Sequence, residues 1–174
     1  MSAFRFKQFQ IEHDHSFKVG TDGVLLGAWV STKDNANILE IGSGSGLIAL
    51  MIAQRSLTST ITGVEIDPKS VEESKINSQK SPWNDRITIK ETDLQQYTTK
   101  QKFDQIITNP PFFINSTKSY NNRKNATRHT DGLPFETIIG FAQKHLKPEG
   151  TISIVLPKDE GETFIANILQ KGFS

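Results

Sequence analysis

The sequence predicts an α/β fold with a mostly parallel central sheet and helices on both faces, and three observations carry that prediction. Short apolar runs alternate with helical patterns from residue 36 onward, a glycine-rich turn joins the first run to the first helix, and a proline pair follows the fourth run. With 174 residues the chain has the length of one domain and can bury a single core.

The elements follow in order. Asn37-Ile38-Leu39-Glu40-Ile41 is a short apolar run of strand length, and Gly46 to Arg55 continues it as a helix. Thr60 to Ile66 is rich in β-branched residues and forms the second strand. Pro68 to Lys80 is the next helix, opened by a proline whose missing N–H would lack a helical partner anyway. Arg86 to Lys90 and Phe103 to Thr108 supply two more strands, and Pro134 to Leu146 another helix. Pro148-Glu149-Gly150 reads as a turn into a fifth strand, Thr151 to Leu156, with a last helix over Gly161 to Gln170. No repeat or linker interrupts the series. One domain over residues 1–174 is therefore expected, with an N-terminal extension and short helix over 1–35 and the core over 36–174.

Composition narrows the function classes. Charged residues are 22% and hydrophobic ones 35% of the chain, with 11 Phe, which is a globular composition. The absence of cysteine excludes disulfides, thiolate metal sites and cysteine nucleophiles together. His129, a lone His without a carboxylate partner in sequence, makes no metal site, and no metal is expected. Met1 to Gln10 has no signal-peptide core and no 18 apolar residues run consecutively, so neither export nor a membrane span is expected and a cytoplasmic location is compatible. A net charge of +1 is too small to mark a nucleic-acid binder, so any basic footprint must be local.

Glu40-Ile41-Gly42-Ser43-Gly44-Ser45-Gly46 lies where the first strand meets the first helix, and its glycines allow a tight turn with close approach of backbone to a ligand. Gly46 follows Gly44 by two residues where a dinucleotide fingerprint needs three, which disfavours NAD. Glu65, ending the second strand, is positioned to accept hydrogen bonds from both ribose hydroxyls of an adenosine, with Asp67 as the weaker candidate. Asp93 either accepts from an adenine amino group or caps a helix.

Asn109-Pro110-Pro111-Phe112 ends the fourth strand, at the carboxyl edge where open α/β sheets bind ligands. The Asn109 side-chain oxygen and the Pro110 carbonyl can each accept one N–H of a planar amino group, favouring a pyramidal and hence nucleophilic nitrogen. The prolines pre-set φ and remove competing donors, and Phe112 offers a face for a flipped base, worth roughly 1–3 kcal/mol. The bland alternative is a proline turn after a strand with a core Phe.

As a set, the Glu40 to Gly46 turn, Glu65, Asp93 and the Asn109 to Phe112 tetrapeptide resemble the Rossmann-like class I methyltransferases, over nearly the whole chain. That resemblance implies S-adenosyl-L-methionine as cofactor and an amino or amide nitrogen as methyl acceptor. Phe6-Lys7-Gln8-Phe9, His13-Asp14, the stretch from Lys18 to Trp29 and Ser81-Pro82-Trp83 resemble more narrowly the bacterial tRNA1(Val) adenine-37 N6-methyltransferase family. The resemblance implies an anticodon-loop adenine as target and a Lys18 to Gly23 stretch that closes over the methionine end of the cofactor. The cofactor set it implies is Lys18, Gly20, Thr21, Glu40, Gly42, Gly44, Gly46, Glu65, Ile66, Asp93 and Asn109; Thr21 or Asp22 otherwise reads as the cap of the helix ending near Val30. Members of the superfamily finish with two more strands, so a chain stopping at Lys171-Gly172-Phe173-Ser174 is expected to lack them and to be truncated.

A tRNA partner requires a phosphate-binding surface, and Lys118, Arg123, Lys124 and Arg128, with His129, cluster in the long polar stretch behind the tetrapeptide. Arg5 and Lys7, interleaved with Phe4, Phe6 and Phe9, either form a second basic patch or flank aromatics that staple the N-terminus to the core. Two rival functions remain: a protein glutamine N5-methyltransferase, whose amide nitrogen needs the same two acceptors, and a non-catalytic module that binds cofactor and RNA. An oxidoreductase is weakened by the glycine spacing.

Overall fold

The computed structural model describes residues 3–14, 19–110 and 133–173. Its centre is a five-stranded sheet of β3 (Asn37–Ile41), β4 (Thr60–Glu65), β5 (Ile87–Glu91), β6 (Phe103–Thr108) and β7 (Leu146–Ile154), ordered β5-β4-β3-β6-β7 with every neighbouring pair parallel. Parallel strands need crossovers, and α2 (Leu47–Arg55), α3 (Pro68–Gln79), α4 (Phe135–His145) and α5 (Lys158–Gln170) flank the strands in the chain. Before the sheet come an antiparallel hairpin, β1 (Ala3–Arg5) with β2 (Gln10–Glu12), and α1 (Thr21–Trp29).

Helices cover both faces, so the inner strands are apolar on both sides. Ile38 packs with α1, α2 and α3 residues such as Leu26, Leu50 and Val71, whereas the next residue, Leu39, packs with Ile138 and Phe141 of α4 and Phe164 of α5. Pro68 occupies the first turn of α3, as its lost donor predicts. Arg86 closes a short 3₁₀ turn before β5 and donates to the carbonyls of Ala53, Ser56 and Ser59, satisfying acceptors where α2 ends.

The hairpin resolves the reading of the N-terminal aromatics. Phe6 stacks on Phe9 at 4.5 Å and Phe9 meets Trp83 edge-on at 5.8 Å, so these rings staple the N-terminus to the core while Arg5 and Lys7 point to solvent.

Two expectations are corrected. Pro148-Glu149-Gly150 does not precede the fifth strand; it is an irregularity inside β7, because Phe103 pairs with Leu146 but Gln105 with Thr151. Pro148 has no N–H to give the ladder, and Gly150 sits where a Cβ would lie 2.6 Å from Leu146 Cγ, so the extra residues bulge out. Nor does Thr21 or Asp22 cap α1: the cap position is Gly20, with no side-chain cap bond, and Thr21 is already helical.

Candidate active site

The parallel register sets Ile41 beside both Val64 and Thr108, so the turn leaving β3 emerges between the ends of β4 and β6. Strand order reverses there, which opens a crevice at the carboxyl edge of the sheet. Gly42 and Ser43 donate their backbone N–H groups to the Val64 carbonyl, at 2.9 and 3.2 Å. Gly42, Gly44 and Gly46 all take left-handed φ values, of 69°, 51° and 79°, so a side chain at any of them would strain the turn. A Cβ at Gly42 or Gly44 would meet nothing within 4 Å, which leaves bare backbone for a ligand to approach. At Gly63 a Cβ would lie 2.9 Å from that of Ser43; glycine there lets Ser43 seat, and its buried Oγ has no hydrogen-bond partner among the described residues.

Glu65 ends β4 beside this turn. Its Oε2 accepts from the Gly44 N–H at 2.9 Å, and its Oε1 from the N–H groups of Ile66 at 2.9 Å and Asp67 at 3.0 Å. Three backbone donors thus fix one half-buried carboxylate, with Ile66 exposed next to it. Asp67, the weaker ribose candidate, is the N-cap of α3: its Oδ2 accepts from both the N–H and the hydroxyl of Ser70 at 2.8 Å. Asp93 accepts from the Gln95 N–H at 2.9 Å in a tight turn, so it caps no helix.

Glu40 is 1% exposed and accepts from the Ala49 N–H at 3.1 Å, in the first turn of α2. Burial drives its pKa from 4.5 up to about 8; the Ala49 bond opposes the rise and the charge of Glu65 adds to it.

Asn109 follows β6 directly, and the Thr108 hydroxyl donates to the Ile41 carbonyl at 2.9 Å, tying the ends of β6 and β3 together. Asn109 Oδ1 is buried and has no hydrogen-bond partner among the described residues. Such an acceptor costs about 1–3 kcal/mol unless a ligand donates to it. The first turn of α1 packs against the other end of the same amide: a Cβ on Gly23 would lie 3.7 Å from Asn109 Nδ2 and 3.3 Å from Leu47 Cδ2. Gly20 and Thr21 begin the same helix, and Pro110 is buried behind Asn109. Lys18, Pro111, Phe112, Lys118, Arg123, Lys124, Arg128 and His129 lie outside the described residues.

A model of the methyltransferase small domain matches residues 17–174. The chain belongs to the methyltransferase small domain family. Among curated relatives it is 46% identical over 163 residues to the tRNA1(Val) (adenine(37)-N6)-methyltransferase of Phocaeicola vulgatus, covering 93% of this chain and 69% of that protein. To the protein of the same name from Vibrio parahaemolyticus it is 42% identical, over 98% of this chain and 72% of the relative. The fold is similar to that of a precorrin-6y C5,15-methyltransferase from Geobacter metallireducens, with a TM-score of 0.65, 15% identity and coverage of 94% and 75% of the two chains. It is also similar to a SAM-dependent methyltransferase from Thiobacillus denitrificans solved in complex with S-adenosyl-L-homocysteine, with a TM-score of 0.58, 18% identity and coverage of 88% and 58%.

Within this methyltransferase small domain the β3 turn, Glu40, Glu65 and Asn109 come together at one sheet edge. Ser43 and Asn77 are the polar residues that the sequence did not single out. A buried serine inside a glycine-rich turn and an asparagine inside a helix carry no spacing that marks them, and only the packing of α3 against the turn brings Asn77 to it.

Proposed function

We propose that this methyltransferase small domain transfers a methyl group from S-adenosyl-L-methionine to N6 of an adenine in tRNA, adenine 37 of tRNA1(Val), in the cytoplasm where tRNA is modified. The observation that carries the reading is the buried Oδ1 of Asn109 at the crevice beside the glycine turn, which has no hydrogen-bond partner among the described residues. An unpaired acceptor in that position suits a substrate that arrives with N–H donors.

The residues present fit the cofactor. Bare backbone at Gly42 and Gly44 leaves room for it, and Glu65, with two N–H groups on Oε1 and one on Oε2, keeps one lone-pair site on Oε2 for a ribose hydroxyl. Ile66 offers an exposed apolar surface for a base, and Ser43 Oγ an uncommitted hydroxyl. S-Adenosyl-L-methionine, when bound, supplies an electrophilic methyl group on a positively charged sulfur. The protein's own task is to make the acceptor nitrogen reactive. Asn109 Oδ1 accepts one N–H of the adenine amino group and the Pro110 carbonyl the other, which draws the nitrogen lone pair out of conjugation with the ring. As positive charge develops on that nitrogen both hydrogen bonds strengthen, so the two acceptors stabilise the transition state more than the ground state. After transfer the cationic methylated nitrogen loses its extra proton to water, so no ionised base is required of the chain. In this reading Phe112 stacks the base, and Lys118, Arg123, Lys124 and Arg128 neutralise phosphates.

The relatives named as tRNA1(Val) (adenine(37)-N6)-methyltransferases support tRNA over a protein amide. Radiolabelled methyl transfer to purified tRNA and to a peptide release factor separates the two. Label in tRNA, recovered as N6-methyladenosine, is expected; label in glutamine of the release factor with none in tRNA would overturn the proposal.

A further inference from the structure

Asn77 sits in the third turn of α3, is 1% exposed, and uses its whole amide. Its Oδ1 accepts from the Glu12 N–H at 2.8 Å, and its Nδ2 donates to the Glu12 carbonyl at 2.9 Å and to the Ser45 carbonyl at 2.9 Å. The amide orientation follows from the partners, since the reverse would set an oxygen against two carbonyl oxygens. Glu12 ends β2 and Ser45 lies in the glycine turn, so one side chain joins the N-terminal segment to the candidate cofactor site.

Neighbours on the same helix face reinforce the join. Glu73, one turn earlier, accepts from the Asp14 N–H, and Lys80 pairs with the Glu12 carboxylate. The spacing of 73, 77 and 80 keeps all three on one side of the helix axis, gripping residues 12–14 as a strand partner would.

We infer that Asn77 is a positioning residue that couples the glycine turn to residues 12–14, so that the end of β2 holds the turn in the shape that the cofactor meets. The inference rests on the cofactor reading of the turn. Asn77 touches neither the crevice nor any substrate, so its effect reaches the site only through the Ser45 carbonyl and residues 12–14. In Asn77→Asp both donors are lost and a carboxylate oxygen faces two carbonyls, which loosens the turn from the segment.

Calorimetric titration with S-adenosyl-L-homocysteine, with the KM for tRNA measured in parallel, tests the inference. Binding about tenfold weaker in Asn77→Asp, with the KM for tRNA within about twofold of wild type, is expected. Equal affinity in variant and wild type would overturn the inference and leave the cofactor reading standing. A wild-type protein that does not bind S-adenosyl-L-homocysteine would instead overturn the cofactor reading itself. Should Asn77→Asp fail to fold, hydrogen exchange on the wild-type protein decides: S-adenosyl-L-homocysteine is expected to slow exchange of the Glu12 and Asp14 amides severalfold, and unchanged exchange there would overturn the coupling.

Discussion

The Gly44 N–H donates to Glu65 Oε2 at 2.9 Å, so the glycine turn after β3 and the carboxylate ending β4 are built as one unit. The parallel register that pairs Ile41 with Val64 makes the contact available, and the left-handed φ of Gly44 aims its N–H at the carboxylate. A ligand bridging the turn and Glu65 therefore meets a preformed surface.

Glu65→Ala removes that carboxylate and leaves the N–H groups of Gly44, Ile66 and Asp67 without their acceptor. Loss of the charge-assisted hydrogen bond from Glu65 to a ribose hydroxyl is expected to weaken S-adenosyl-L-homocysteine binding by about thirtyfold or more. Glu65→Gln keeps one acceptor but turns an N–H donor toward another donor, so an intermediate loss of about tenfold is expected. Calorimetry measures both, with far-UV circular dichroism confirming an intact fold.

Glu40 gives stability a pH dependence of unusual sign for a carboxylate. Its pKa is about 8 in the folded protein against 4.5 for the ordinary group, so the folded state binds the extra proton between those values. Stability from this group is greatest at low pH and is lost as pH rises toward about 8. Glu40→Gln, which holds the neutral form permanently, is expected to melt progressively higher than wild type as pH increases from about 5 to about 9, by several degrees at the upper end. Thermal denaturation across that range checks it; a constant difference between the two proteins would contradict it.

Gly63 is a strand glycine with a steric duty. An added Cβ would lie 2.7 Å from Ile89 Cδ1, which can rotate away, but also 2.9 Å from Ser43 Cβ, which cannot move without shifting the turn. Gly63→Ala is expected to cost about 1–3 kcal/mol and to lower the melting temperature by about 5 °C. Because the shift passes into the glycine turn, S-adenosyl-L-homocysteine binding should weaken as well, which the same titration reads.

The parts of this structure that the sequence made legible are those set by local chemistry. Phe103 to Thr108 is a strand because its apolar residues fit a sheet buried on both faces, and Pro68 opens a helix because its missing N–H costs nothing there. The glycines of the β3 turn announce a backbone that other residues rarely adopt. What stayed hidden was decided by partners distant in the chain. Asn77 reads as an ordinary polar helix residue until Glu12, 65 positions away, and Ser45, 32 positions away, are packed against it. The bulge at Pro148 to Gly150 is a turn by composition and becomes part of a strand only because β6 pairs on both sides of it. Asp67 and Glu65 are both acidic residues at one strand end, and only the Ser70 N–H and hydroxyl reveal which of them is spent as a cap.

The most direct test is Asn109→Ala, assayed by nucleoside mass spectrometry of tRNA after incubation with S-adenosyl-L-methionine. If the buried Oδ1 of Asn109 accepts from the adenine amino group, the rate of N6-methyladenosine formation falls by about a hundredfold or more while S-adenosyl-L-homocysteine affinity changes severalfold at most. Unchanged N6-methyladenosine formation by the variant would contradict the account.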